Sequence, residues 1–225
     1  MSRVPYGERE PREGAWPWVS RVGAVINKGV YRTETPGVAN IPTSGGVIVA
    51  ANHAGLLDGP ALYAALPREA HILVKKEMFE LPVVGPFLHY SGQIGIDRSG
   101  DRRALTAALK LLRAGKIVGI LPEGTRGTGS VAAISSGVAW LASMSGAPVV
   151  PAAILGTRAQ GAGKNWLPAP RSRVVVSFGE PFRLEARSGE AGRETMRRGA
   201  EDIRRALAEH VHAEERRTGL RLPSA

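Results

Sequence analysis

The stretch Val47–Pro60, VIVAANHAGLLDGP, decides how this chain reads. Five apolar residues run up to Asn52-His53, a short loop follows, and Asp58-Gly59-Pro60 opens a helical pattern. An apolar run without alternation describes a strand buried on both faces, and proline suits the first turn of a helix. His53 and Asp58, with four residues between them, can hydrogen-bond across that strand-to-helix turn. A carboxylate on one imidazole nitrogen fixes the tautomer and leaves the other nitrogen free to take a proton. A second reading stays open at this level: Asp58 as a helix N-cap before Pro60, and His53 as an ordinary loop residue.

Outward from this stretch, short apolar runs alternate with helical patterns. The spacing predicts strands over Gly46–Ala51, His71–Val74, Gln93–Ile96, Ile117–Leu121, Val149–Leu155 and Arg173–Phe178. It predicts helices over Pro60–Ala65, Arg102–Ala114, Ala133–Ser145 and from about Gly189 to Arg217. In the last of these, Met196, Ala200, Ile203, Leu207 and Val211 form one apolar stripe, and its charged residues read as a solvated surface. The alternation implies a single α/β domain with a central, mostly parallel or mixed sheet flanked by helices. Residues 1–32 read as a polar arm and an amphipathic helix, and residues 33–225 as the main domain. Within the arm, Trp18, Val22, Val25, Ile26 and Val30 recur at helical spacing beside Arg21 and Lys28. That helix packs on the core or lies in a membrane interface.

Thirty basic against twenty acidic residues leave a net charge of +10, which favours polyanionic partners: nucleic acid, an anionic membrane, or phosphate-bearing small molecules. Aromatic residues make up only 5% and no stacking platform is visible, so nucleic acid is not expected as a partner. A nucleotide-binding loop is not expected either, because Gly163-Lys164 is followed by Asn165 and Gly115-Lys116 by Ile117, neither of them Ser or Thr. With no cysteine there is no disulfide, thiolate metal site or cysteine nucleophile, and no metal is expected. No run of eighteen apolar residues is present, so no bilayer-spanning segment is expected.

Three further stretches carry candidate chemistry. Leu121–Gly129, LPEGTRGTG, follows the strand at Ile117, where α/β folds bind ligands. Its glycines let the backbone approach closely, Arg126 offers a fork of donors suited to phosphate, and Glu123 needs a partner, a nearby Arg being the natural one. Gly92–Arg98, GQIGIDR, delivers Asp97-Arg98 to a strand end, as a ligand contact or as a surface ion pair. Gly146–Thr157, GAPVVPAAILGT, is a buried strand interrupted by Pro151, which points to an edge or a bulge.

In this order, NHAGLLD, GQIGIDR, PEGTR and APVVPAAI resemble the four ordered blocks of the glycerolipid acyltransferases, most closely the 1-acylglycerol-3-phosphate acyltransferases. The lysines of LVKKEMFELPVVGPFL, Lys75 and Lys76, fit the stretch between the first two blocks, and the resemblance spans roughly Gly45 to Thr157. The chain departs from the family pattern at Gly55, usually Ser, at Gly95, often larger, at Gly127, usually Ser, and at Ile134–Gly137, often basic and aromatic.

The resemblance implies an O-acyltransferase of glycerol-3-phosphate acyltransferase-like fold. His53, oriented by Asp58, would act as base, and Arg98, Glu123, Gly124, Thr125 and Arg126 would bind the acceptor's phosphate. Asn52, Lys75 and Pro151 are further candidates for substrate contact. No cofactor is expected beyond the donor substrate, acyl-CoA or acyl carrier protein. The expected acceptor is a lysophospholipid, 1-acylglycerol-3-phosphate acylated at sn-2, with another phosphate-bearing or glycolipid acceptor as the alternative. A sixteen-carbon chain at about 0.8 kcal/mol per buried CH₂ carries on the order of 10 kcal/mol, so such an acceptor stays in the bilayer. The expected location is therefore peripheral, at the cytoplasmic face of a membrane.

Overall fold

A computed structural model describes residues 9–12, 14, 29–97, 101–124, 127–185 and 192–223. Seven strands form one sheet: β1 (Arg32–Glu34), β2 (Val47–Ala51), β3 (Ala70–Lys75), β4 (Ile94–Ile96), β5 (Ile117–Ile120), β6 (Val149–Leu155) and β7 (Arg173–Phe178). Among the described residues five α-helices accompany them: α1 (Asp58–Ala65), α2 (Val84–Tyr90), α3 (Arg102–Arg113), α4 (Ser136–Ser145) and α5 (Gly192–Thr218). The strand order is β1-β7-β6-β2-β5-β3-β4, parallel throughout except where β7 runs against β6.

The expected α/β domain with a mixed sheet is what the chain forms. All five residues of β2 are buried, because it lies between β5 and β6 with helices on both faces. Ile48 and Ala50 face one core with residues of α3, α4 and α5, including Leu112, Leu141, Ile203 and Leu207. Val47, Val49 and Ala51 face the other core with Leu62 and Ala65 of α1. The stripe on α5 is buried at Ile203, Leu207 and Val211, and its outer face holds i,i+3 pairs such as Arg197–Glu194 and Arg204–Glu201.

From β2 the chain crosses to β3 and β4 on one side, and after β5 it crosses to β6 on the other. The carboxyl ends of β5, β2 and β6 thus surround a topological switch point, where open α/β sheets hold ligands.

Two expected helix starts need correction, and one open alternative is decided. Helix α1 starts two residues before the expected Pro60, and α4 starts three residues later than Ala133, where the Ser135 hydroxyl accepts the Gly137 N–H at 3.3 Å. Pro151 is on an interior strand, not an edge. Across from it, Ala152 pairs with Phe178 and Val149 bridges Phe182, so three β6 steps face four steps of the partner chain. The extra residue is a bulge, and it falls where proline has no N–H to give. Strand β1 and helix α2 were not expected at all. The helix expected over residues 15–31 lies almost wholly outside the described residues.

Candidate functional site

The carboxyl end of β2 delivers Asn52 and His53 into the switch-point crevice. Asn52 is fully buried, donates its amide to Ile154 O at 3.1 Å and accepts the Ile154 N–H at 2.7 Å. Its side chain extends the β2–β6 ladder by one rung and is committed to that work, not offered to a ligand.

His53 follows with its Nδ1 2.9 Å from Asp58 Oδ2. The imidazole is 22% exposed and the carboxylate is fully buried. Asp58 lies in the first turn of α1, yet it does not cap its own helix; the N-cap residue is Leu57. Its Oδ2 turns back to accept the N–H groups of Ala54 at 2.6 Å and Gly55 at 2.7 Å, and its Oδ1 accepts the Thr157 hydroxyl. Of the two readings open in the sequence, the geometry selects the hydrogen-bonded pair. A carboxylate on Nδ1 leaves Nε2 as the proton-accepting nitrogen.

The peptide of His53 is clamped by the loop after β5. Glu123 Oε1 accepts the His53 N–H at 2.8 Å, and Gly127 donates its N–H to His53 O at 3.1 Å. Burial pushes the Glu123 carboxyl above its usual range, and the His53 N–H pulls it part of the way back. The arginine expected beside Glu123 is thus not what its Oε1 meets. Gly124, with φ of +67°, supplies the left-handed turn that brings this loop round.

Two residues not singled out from sequence complete the arrangement. Thr157, at the end of β6, reaches Asp58 from 99 positions away. Arg158 donates from Nη1 to Gly127 O at 3.0 Å and Ala54 O at 3.3 Å, and from Nε to Ala162 O at 2.8 Å. Thr157 closes the fourth sequence stretch and Arg158 follows it directly, and that adjacency was the available signal.

Lys75 ends β3 on the same edge of the sheet but pairs with Glu77 at 2.6 Å. Pro151 is buried within β6. Arg98, Thr125 and Arg126 lie outside the described residues. Among the described residues no cluster of His, Asp and Glu is arranged to hold a metal ion.

The family model named Acyltransferase matches residues 32–155, from β1 through the last residue of β6. The chain belongs to the acyltransferase family. This acyltransferase is 33% identical over 155 residues to the 1-acyl-sn-glycerol-3-phosphate acyltransferase of Bacillus subtilis, spanning 68% of this chain and 72% of that protein. It is 37% identical over 111 residues to an uncharacterised protein of Mycobacterium leprae, spanning 45% of this chain and 28% of the other. In fold it matches the crystal structure of the 1-acyl-sn-glycerophosphate acyltransferase of Thermotoga maritima with a TM-score of 0.65. That likeness covers 86% of this chain and 78% of the other at 24% identity. The matched family segment contains the whole His53–Asp58 turn and the Glu123 loop, while Thr157 and Arg158 lie just past its end.

Proposed function

We propose that this acyltransferase moves a fatty acyl group from acyl-CoA or acyl carrier protein to the free sn-2 hydroxyl of 1-acylglycerol-3-phosphate, making phosphatidic acid. The carrying observation is the 2.9 Å contact between a partly exposed imidazole and a fully buried carboxylate at the sheet's ligand-binding edge. In this reading His53 Nε2 takes the proton of the acceptor hydroxyl while its oxygen attacks the thioester carbonyl carbon. The C–O bond forms, the C–S bond breaks, and the departing thiolate receives the proton back from the imidazolium. A base positioned in this way contributes about 10²–10⁴-fold. Glu123, Gly124, Thr125, Arg126 and Arg98 form the acceptor's phosphate site, and the relative in Bacillus subtilis supports that acceptor by name.

We also propose a peripheral position on an anionic membrane, at its cytoplasmic face. Support comes from where the apolar surface is exposed. Val83, 82% exposed, and Leu81 lie in the connection that leaves the carboxyl end of β3. Trp166 and Leu167 lie in the connection from β6 to β7, which leaves the same edge, and Val30 stands where β1 enters it. Exposed apolar side chains thus flank the His53 turn on both sides, as a lipid-resident acceptor requires. No helix among the described residues is long and apolar enough to cross a membrane.

The deciding experiment compares purified wild type with His53→Ala, each given long-chain acyl-CoA and lysophosphatidic acid, following free thiol release. Acceptor-dependent release by the wild type alone is expected. Equal rates from both proteins would remove His53 from the chemistry, and no release with any lysophospholipid would remove the acceptor.

A further inference from the structure

We infer that Thr157 is a positioning residue for the proton-transfer pair, holding the Asp58 carboxylate in the rotation that aims Oδ2 at His53. The inference rests on the proposed role of His53 and Asp58 and adds to it a residue from the turn after β6.

An aspartate carboxylate turns easily about its last torsion, which has broad and roughly two-fold wells. In this site one oxygen takes three donors: His53 Nδ1, the Ala54 N–H and the Gly55 N–H, at 2.9, 2.6 and 2.7 Å. All three come from the same short loop, so they fix where Oδ2 sits without fixing the plane of the group. Oδ1 is held by the Thr157 hydroxyl, which arrives from the turn that follows the neighbouring strand β6. With both oxygens anchored from two separate elements, the plane of the carboxylate is set, and with it the line from Oδ2 to the ring.

Solvent is no substitute at this position, since Asp58 is fully buried and Thr157 only 1% exposed. Room for the hydroxyl comes from Gly55. A Cβ built there would lie 3.0 Å from both the carbonyl oxygen and Oγ1 of Thr157, tighter than side chains normally accept. Glycine at 55 and threonine at 157 are therefore one fitted arrangement.

The test uses full-length wild type, Thr157→Val, Thr157→Ser and His53→Ala, with acyl-CoA and lysophosphatidic acid. Valine keeps the shape and removes the donor. It is expected to lower kcat about tenfold to a hundredfold, with KM for both substrates changed less than about twofold. Stripping a donor from the carboxylate strengthens its pull on the imidazolium, so the acid limb of kcat/KM moves to higher pH. Serine restores both quantities towards wild type. The inference is overturned if valine keeps the wild-type kcat and pH profile, or if serine is as impaired as valine. It is equally overturned if activity falls only in proportion to the folded fraction. Should the valine variant not fold, Thr157→Ala answers the same question by the same pH profile. If His53→Ala turns over like wild type, the catalytic reading itself fails; if His53→Ala is inactive and Thr157→Val normal, only the role of Thr157 does.

Discussion

Glu123 Oε1 accepts the backbone N–H of His53 at 2.8 Å, although the two residues stand seventy positions apart in the chain. The loop after β5 thereby reaches across the sheet edge and holds the peptide that carries the imidazole. This places a half-buried carboxyl, raised above its usual range by desolvation, directly behind the proposed base. A raised carboxyl binds its proton more readily in the folded chain, so its contribution to stability is lost as pH rises through the folded value. Glu123→Gln keeps an oxygen for the His53 N–H and removes that dependence. Its Tm at pH 7 is expected at or above wild type, the difference closing as pH falls towards 4.5. A variant several degrees less stable at pH 7 by calorimetry would contradict the argument.

Asp58→Asn tests the charge. The Ala54 and Gly55 N–H groups require an oxygen where Oδ2 now accepts, so an amide turns its NH2 towards the Thr157 hydroxyl and what is lost is the negative charge that stabilises the imidazolium. Loss of about 10²–10⁴-fold in kcat is expected, with substrate KM values near wild type. Steady-state kinetics on protein shown folded by circular dichroism would check it, and a loss under about threefold would count against the pair.

His210 on α5 lies 2.9 Å from the Ser177 hydroxyl of β7, and burial pulls its pKa below the ordinary 6.5, while the nearby Glu214 pulls the other way. A base depressed by folding resists protonation in the native state, so the fold is most stable above the unfolded value and loses stability as pH falls below it. The wild-type Tm should therefore decline between pH 6.5 and 5 more steeply than that of His210→Gln. Parallel declines would assign the pH sensitivity to other groups.

The exposed apolar edge makes a prediction about binding separate from chemistry. Val83→Asp combined with Leu167→Asp puts two charges where apolar side chains now meet solvent. Sedimentation with vesicles containing anionic lipid should drop about tenfold or more, while turnover of a short-chain, water-soluble acceptor stays near wild type. Undiminished sedimentation would move the docking surface elsewhere.

Most of the sheet was legible because buried strands announce themselves. The runs at Val47, Ile117, Val149 and Arg173 are apolar, rich in β-branched residues and bounded by glycine or proline. What escaped had no such signal. Strand β1 is Arg32-Thr33-Glu34, three polar residues paired with β7. Helix α2 contains Gly85-Pro86, which reads as a break; its glycine is required because a Cβ there would strike the Phe79 carbonyl. The same limit applies at the site. His53 and Asp58 share one turn, so their pairing could be considered from spacing alone. Thr157 and Arg158 act across roughly a hundred residues, and only the β2–β6 pairing brings them near. Asn52 shows the converse: it stands next to the imidazole in sequence, and the ladder it completes takes up its amide.

Arg158 has a mechanical consequence. One guanidinium ties the carbonyls of Ala54, Gly127 and Ala162, so loops leaving β2, β5 and β6 are joined through a single side chain. A change of residue or length in the segment around Ala162 would be transmitted through that fork to the backbone beside His53. The shape of the mouth can thus be retuned for a different acceptor from a surface connection, with the reacting groups themselves left untouched.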